Sequence, residues 1–162
     1  MLVGAPASGK SEIARALATA WQCDWIDTDA VVANETGESV GDYLRTHGEQ
    51  AFRARELDAL REALDSGGVV ATGGGIVTTE QARALLSRER TYWLDCEFDV
   101  LVERLGDGDR PLLGDDPRAT LERLIEQRTP WYRDVSRRRI DASGTLEEVV
   151  ASVCDVFQLD DQ

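Results

Sequence analysis

The chain is poor in positive charge and nearly devoid of lysine. Its 162 residues include 31 acidic side chains against 18 basic ones, which gives a formal net charge of −13. Proteins that grip nucleic-acid backbones or anionic membrane surfaces rely on clustered lysine and arginine. We therefore expect neither nucleic acid nor a membrane among its partners. Seventeen of the basic residues are arginine, and the single lysine is Lys10.

Cysteine and long apolar runs are also scarce. Cys23, Cys96 and Cys154 are odd in number and widely spaced, and no C-x-x-C pair occurs, so neither a disulfide framework nor a zinc site is indicated. No apolar run is long enough to span a membrane, and no signal-peptide pattern opens the sequence. These features predict a cytoplasmic protein with reduced thiols, and its length predicts one domain over residues 1–162, which we expect to be monomeric.

Against this background, residues 4–11 (GAPASGKS) match the phosphate-binding loop pattern G-x-x-x-x-G-K-[ST]. Apolar residues 1–3 precede the match and predict a strand, and a run of helix formers follows it. Glycines in such a loop let backbone N–H groups converge on an anion at a helix N-terminus. Lys10 would then reach the outer phosphates of a nucleotide, and the Ser11 hydroxyl would bind Mg²⁺.

The alternative interpretation of this segment is a plain glycine-rich turn before a helix. The single lysine argues against that alternative, because arginine has replaced lysine everywhere else in the chain. Lysine is a compact, mobile point charge that can follow a phosphate, whereas arginine is a planar fork. We therefore interpret Lys10 as functional.

Strand-like and helical segments alternate along the rest of the chain. Short apolar runs predict strands near residues 24–27, 69–72, 91–94 and 138–141, each separated from the next by helical pattern. This alternation predicts an α/β fold, a three-layer sandwich in which helices cover both faces of a five-stranded parallel sheet. The breaker-rich stretch within residues 106–118 predicts a lid.

Chemically useful residues follow two of the predicted strands. Asp27, Thr28 and Asp29 end the second strand, where carboxylates could serve Mg²⁺ and a substrate hydroxyl. For Asp29 alone, an N-cap on the next helix explains the residue equally well. The glycines at residues 73–75 end the third strand and would let a ligand approach the backbone closely, with a flexible turn as the alternative.

Taken together and in order, these motifs resemble shikimate kinase of the P-loop type. The ordered set comprises the phosphate loop, residues 27–29 (DTD), 52–56 (FRARE), 73–75 (GGG), 110–113 (RPLL) and 128–132 (RTPWY). The resemblance implies the P-loop kinase fold related to nucleoside monophosphate kinases, with a substrate-binding insertion near residues 29–58. It also implies transfer of the γ-phosphate of ATP to the 3-hydroxyl of shikimate, in chorismate and aromatic amino-acid biosynthesis.

The resemblance also implies roles for individual residues on the nucleotide side. Lys10 would hold the β- and γ-phosphates, and Arg110 in the lid would reach the transferring phosphoryl group. Ser11 and, through water, Asp27 would bind Mg²⁺, and Arg104 would flank the adenine. The remaining loop contacts to ATP would come from Pro6, Ala7, Ser8, Gly9 and Glu12. Ala7 departs from the family pattern, where this position is often glycine.

On the acceptor side, Asp29 would hold the hydroxyls of shikimate and is the candidate base. Arg53 and Arg128 would clamp its carboxylate, a group that arginine forks bind bidentately. Glu56 would orient Arg53, and the remaining substrate contacts would come from Phe52, Gly73, Gly74 and Gly75.

Two alternatives to this function stay open at the level of sequence. The first alternative is another small-molecule kinase of the same fold. Among such kinases a gluconate kinase fits best, because gluconate also carries a carboxylate. The other is a nucleotide-binding homologue without turnover. The presence of Lys10, Asp29, Arg53 and Arg110 speaks against that second alternative, because a simple binder has no use for a lid arginine.

Overall fold

The computed structural model describes residues 1–106 and 116–160. Arg110 and most of the predicted lid at 106–118 lie outside the described residues, so their roles stay predictions. Within the described ranges, no helix combines the length and apolar character needed to cross a membrane.

One parallel sheet forms the centre of the molecule and confirms the predicted α/β fold. Within the described residues, its five strands run in the spatial order β2-β3-β1-β4-β5. The strands are β1 (Leu2–Val3), β2 (Trp25–Asp27), β3 (Val69–Ala71), β4 (Tyr92–Asp95) and β5 (Arg138–Asp141). The helices between and after them are α1 (Lys10–Trp21), α2 (Thr28–Thr36), α3 (Val40–Ser66), α4 (Glu80–Leu86), α5 (Phe98–Leu105), α6 (Pro117–Val135) and α7 (Leu146–Leu159).

The alternation of side chains along β1 explains the layers. Leu2 packs with apolar residues of α1 and α7 on one face of the sheet, including Leu17 and Val153. Val3 packs on the opposite face with α3, α4 and α6. Successive strand side chains point to opposite faces, so a central strand with two apolar residues serves both layers.

The first strand is one residue shorter than the predicted segment 1–3. Backbone pairing nevertheless continues on both sides of it. Tyr92 N donates to the Met1 carbonyl at 2.9 Å, and Thr72 N donates to the Leu2 carbonyl at 3.2 Å. The phosphate loop therefore starts from a strand that is paired on both edges.

The α2–α3 region forms a small cluster of its own, built on Val32, Tyr43 and Phe52. Gly48 interrupts α3 with a φ of 83° and a ψ of 168°, so that a short helical piece precedes the long one. This break lies at the turn predicted for residues 47–48. It carries residues 49–56 back toward the carboxyl ends of the strands.

Candidate active site

The phosphate loop leads into α1 through a left-handed residue. Gly9 is the N-cap of this helix, with a φ of 84° and no side-chain cap, so the first helical N–H groups stay available to an anion. Ala7 also adopts a positive φ, of 65°. The loop thus accommodates a Cβ at the position where the resemblance leads one to expect glycine.

Lys10 is folded into this loop. Its Nζ donates to the Ala5 carbonyl at 2.7 Å, to the Gly4 carbonyl at 3.1 Å and to Ser8 Oγ at 3.3 Å. Burial lowers the pKa of Lys10 to about 8, and the charges of Asp29 and Asp27 oppose that shift. The ammonium therefore remains mostly protonated at pH 7, as a group that binds phosphate must.

Asp27 has two functions at the start of α2. Its Oδ1 accepts from the backbone N–H of Asp29 at 2.9 Å and caps the helix, while the Ser11 hydroxyl donates to its Oδ2. The cap is therefore Asp27, and the alternative N-cap role considered for Asp29 is wrong. One hydroxyl and one carboxylate oxygen that meet at a point suit Mg²⁺, which binds few protein ligands and keeps its waters or phosphate oxygens.

Asp29 lies in the first turn of α2, and its Oδ1 is buried. Desolvation, followed by repulsion from Glu56 and Asp27, raises its pKa to about 7, although Lys10 and Arg53 act in the opposite direction. A carboxylate with this pKa is poised to accept a proton near neutral pH.

The acceptor end of the cleft contains a buried ion pair. Arg53 Nη1 donates to Glu56 Oε2 at 2.6 Å, and the Glu56 side chain is 1% exposed. A second, outer contact joins Arg53 Nη2 to Glu49 at 3.2 Å. Burial raises the pKa of Glu56, while the guanidinium groups of Arg53 and Arg128 lower it. The pair fixes one edge of the Arg53 fork.

The glycine run after β3 passes directly beneath these side chains. A Cβ on Gly73 would overlap Glu56 Oε1, and a Cβ on Gly75 would overlap the Arg53 guanidinium. The Gly73 N–H also donates to the buried Thr28 Oγ1 at 3.1 Å. The run therefore forms a wall of the cleft that charged side chains approach closely, as predicted for these glycines.

Four buried polar atoms at this end have no hydrogen-bond partner within the described part of the chain. They are Asp29 Oδ1, Arg53 Nε, Glu56 Oε1 and Arg128 Nε. Buried polar groups are normally paired, since an unmade hydrogen bond there is costly. Asp29, Arg53 and Arg128 nevertheless line one cleft, where a carboxylate and two guanidinium groups suit a ligand that carries both anionic and hydroxyl groups.

Arg104 and an exposed leucine shape the opposite end of the cleft. Arg104 Nη1 donates to the Ala142 carbonyl at 2.8 Å and Nη2 to the Gly144 carbonyl at 2.9 Å, so the segment after β5 holds this guanidinium in place. Leu146, the first residue of α7, is 39% exposed and lines the cleft at this end.

One cleft of about 900 Å³ brings most of the predicted site residues together. Its lining includes Pro6, Ala7, Gly9, Lys10, Ser11, Glu12, Asp27, Asp29, Phe52, Arg53, Glu56, Gly73, Gly74, Gly75, Arg104 and Arg128. Ser8 lies beneath the lining, fully buried, as an acceptor for Lys10.

Sequence reasoning missed several apolar residues of this lining, among them Val40, Leu44, Leu124, Leu146 and Val149. In the sequence they are indistinguishable from ordinary core positions.

The strand, phosphate loop and helix, with acids at the carboxyl edge of the sheet, define a P-loop kinase of small molecules. A family model described as shikimate kinase matches residues 6–158, and the chain belongs to the shikimate kinase family.

Individual relatives agree with this family. The chain is 40% identical over 155 residues to a shikimate kinase of Thermobifida fusca, covering 94% of this chain and 90% of the relative. It is 39% identical over 156 residues to that of Corynebacterium efficiens, covering 94% and 92%. Among solved structures, shikimate kinase from Acinetobacter baumannii in complex with shikimate superposes with a TM-score of 0.91 at 30% identity, covering 98% of this chain and 92% of that one.

Proposed function

We propose that the protein transfers the γ-phosphate of ATP to the 3-hydroxyl of shikimate, giving shikimate 3-phosphate and ADP. The observation that carries the proposal is one cleft in which the Asp29 carboxylate and the guanidinium groups of Arg53 and Arg128 lie beside the phosphate loop. Shikimate presents one carboxylate and three hydroxyls on a compact ring, which is the mixture of anion and hydroxyl that these donors and acceptors call for.

The acceptor would lie between the two arginines and Asp29. Arg128 Nη1 contacts the Gly74 carbonyl at 3.1 Å, and the Arg53 guanidinium lies against Gly75, so both forks converge on one wall. Arginine forks bind a carboxylate bidentately and fix its orientation. With the carboxylate held there, Asp29 would receive the proton of the 3-hydroxyl as that oxygen attacks the γ-phosphorus.

The nucleotide would occupy the other half of the cleft, with its phosphates on the loop. Lys10 would exchange its contacts to the Gly4 and Ala5 carbonyls for the β- and γ-phosphate oxygens. Ser11 and Asp27 would hold Mg²⁺, which supplies charge neutralisation for the phosphates when it is bound. Arg104 and Leu146 would flank the base, and Arg110 would complete the positive charge around the transferring group.

The chain would form a single kinase domain with an acceptor-binding insertion near residues 29–58 and a lid near 106–118. We further propose a monomeric enzyme of the cytoplasm that binds neither nucleic acid nor a membrane. The net charge of −13 supports the last point, and the free cysteines Cys23, Cys96 and Cys154 suit a reducing compartment.

An acceptor comparison tests the function directly. ADP release with MgATP should depend on shikimate, and gluconate should support no more release than the reaction without acceptor. Gluconate-dependent release in place of shikimate-dependent release would assign the alternative small-molecule kinase. ATP binding without release on either acceptor would favour the nucleotide-binding homologue.

Among the kinetic constants, removal of the Arg53 guanidinium should change those for shikimate and leave those for ATP. For Arg53→Ala we expect the KM for shikimate to rise about 10- to 100-fold, the scale of hydrogen bonds to a charged group, while the KM for ATP stays within twofold. Steady-state kinetics with each substrate varied in turn measures both. Arg61→Ala is a matched control, because Arg61 lies on the same helix in an exposed pair with Asp58 at 3.0 Å.

Arg53→Ala also leaves the buried Glu56 carboxylate without its Arg53 partner, which lowers the free energy of unfolding. The double variant Arg53→Ala/Glu56→Gln removes that charge and should recover the melting temperature without recovering the KM. A shikimate KM that follows the melting temperature across these variants would contradict the assignment of Arg53 to the acceptor carboxylate.

A further inference from the structure

The Gly74 carbonyl oxygen accepts two side-chain hydrogen bonds, and both donors come from α6. Arg128 Nη1 lies 3.1 Å from it and the Tyr132 hydroxyl 2.5 Å. We propose that Tyr132 is a positioning residue for acceptor binding, because its hydroxyl holds the Gly74 carbonyl and thereby keeps the Arg128 fork turned toward the carboxylate of the acceptor. This inference rests on the proposed function, since it needs Arg128 to bind that carboxylate.

Tyr132 is fixed at both ends of its side chain. It is 1% exposed, and its ring stacks on Trp93 of the central sheet with centroids 6.1 Å apart and an interplanar angle of 22°. Its hydroxyl reaches across to the glycine run after β3. A side chain packed in this way connects the sheet and α6 to the glycine run at residues 73–75 and holds them in a fixed relation.

The helix places Arg128 and Tyr132 side by side. Arg128 and Tyr132 are one turn apart on α6, so their side chains leave the same face of the helix. This spacing brings Arg128 Nη1 and the Tyr132 hydroxyl to the same carbonyl oxygen, that of Gly74.

The hydroxyl is suited to act as a permanent donor. Burial raises the pKa of Tyr132 to about 12, although the adjacent Arg128 guanidinium lowers it, so the phenol stays protonated across the working pH range. A carbonyl oxygen has two lone pairs. Without the phenol, the free lone pair would attract a second N–H of the Arg128 fork and rotate that fork away from the acceptor.

Gly74 also connects the two halves of the cleft. A Cβ on Gly74 would come within 3.0 to 3.2 Å of atoms of Pro6 in the phosphate loop. The glycine run that Tyr132 contacts therefore lies next to the nucleotide site. The Arg128 guanidinium and the Tyr132 hydroxyl, however, approach Gly74 from the shikimate half of the cleft. The effect of Tyr132 should accordingly appear in acceptor binding and leave the ATP site unchanged.

Tyr132→Phe with Tyr92→Phe as its control tests the positioning role. Tyr92 is likewise buried, its pKa is also raised to about 12, and its hydroxyl donates to Asp160 Oδ2 at 3.1 Å from the amino end of β4. For Tyr132→Phe we expect the KM for shikimate to rise roughly 3- to 10-fold, the effect of one hydrogen bond, with kcat and the KM for ATP within twofold. Tyr92→Phe should leave all three constants unchanged.

A double-mutant cycle separates positioning from a general structural role. In an Arg128→Ala background, Tyr132→Phe should cause no further loss of kcat/KM for shikimate, because the fork it positions is gone. Additive losses in the cycle, or equal changes in kcat and in both KM values, would overturn the inference. Titration calorimetry adds a check on folding, because unfolded protein lowers the binding stoichiometry whereas a misdirected fork weakens the affinity.

The same experiments distinguish this inference from the proposed function. If the unaltered enzyme does not phosphorylate shikimate, the proposed function fails before any variant is compared. If the unaltered enzyme phosphorylates shikimate and Tyr132→Phe matches it in every constant, the positioning role alone fails.

Discussion

Lys10→Ala should lower kcat for shikimate phosphorylation by roughly a thousandfold, the upper range for loss of one charged stabiliser of a transition state. The Lys10 ammonium is the positive charge inside the phosphate loop. Its Nζ lies 2.7 Å from the Ala5 carbonyl and 3.1 Å from the Gly4 carbonyl. Alanine would leave the N–H groups of the loop in place, so ATP should still bind, more weakly. Single-turnover measurement of ADP formation, together with ATP titration, separates chemistry from binding.

Lys10→Arg should be nearly as inactive as Lys10→Ala, although it keeps the charge. The Lys10 side chain fills a buried slot, with Ser8 Oγ 3.3 Å from its Nζ, and a wider planar guanidinium cannot occupy it. For Lys10→Ala, which loses one positive charge, Arg15→Ala is the matched control, because Arg15 lies exposed on the same helix. Substantial turnover by Lys10→Arg would show that charge alone matters, and would leave the chain's single lysine without an explanation.

The phosphate loop and the order of the elements could be predicted from the sequence because both are local. Spacing within residues 4–11 fixes the loop, and alternating periodicities fix the parallel sheet that the structure confirms. The break at Gly48 was likewise visible as a turn signal, since it depends on one residue's own backbone.

The contacts that complete the site could not be predicted, because they join distant parts of the chain. The motif of residues 27–29 holds two aspartates, and the direction of the chain after β2 decides that Asp27 caps the helix while Asp29 enters the cleft. Tyr132 stood within a quoted motif, but its bond to the Gly74 carbonyl spans 58 residues of sequence. Arg104 was predicted at the base, whereas its anchoring to the Ala142 and Gly144 carbonyls was not.

Asp29→Asn should abolish most turnover and at the same time stabilise the protein. We expect kcat to fall roughly 10²- to 10⁴-fold, the range for loss of a positioned general base. For the unaltered enzyme, kcat/KM for shikimate should rise with pH and level off above about 7, the pKa to which desolvation raises Asp29. In Asp29→Asn, the rise of kcat/KM with pH up to about 7 should disappear together with most of the activity.

The stabilisation follows from the direction of the same shift. The pKa of Asp29 is about 7 in the folded protein and near 4 when the chain is unfolded, so folding favours the protonated acid. The stability associated with that proton is fully present below about pH 4 and is lost as the pH rises to about 7. Three pKa units set a ceiling of about 4 kcal/mol, and sharing of charge with Glu56 and Asp27 reduces our expectation to about 1–2 kcal/mol.

Thermal unfolding at two pH values checks this prediction against its control. At pH 8 Asp29→Asn should melt above the unaltered enzyme, and toward pH 4 the two melting temperatures should converge, because the native acid is then protonated and as neutral as the amide. Asp65→Asn, at an exposed carboxylate on α3, should show no such pH-dependent gain. A variant that is inactive but no more stable at pH 8 would mean that Asp29 is ionised without penalty in the free enzyme, and the acid limb of the rate profile would then belong to another group.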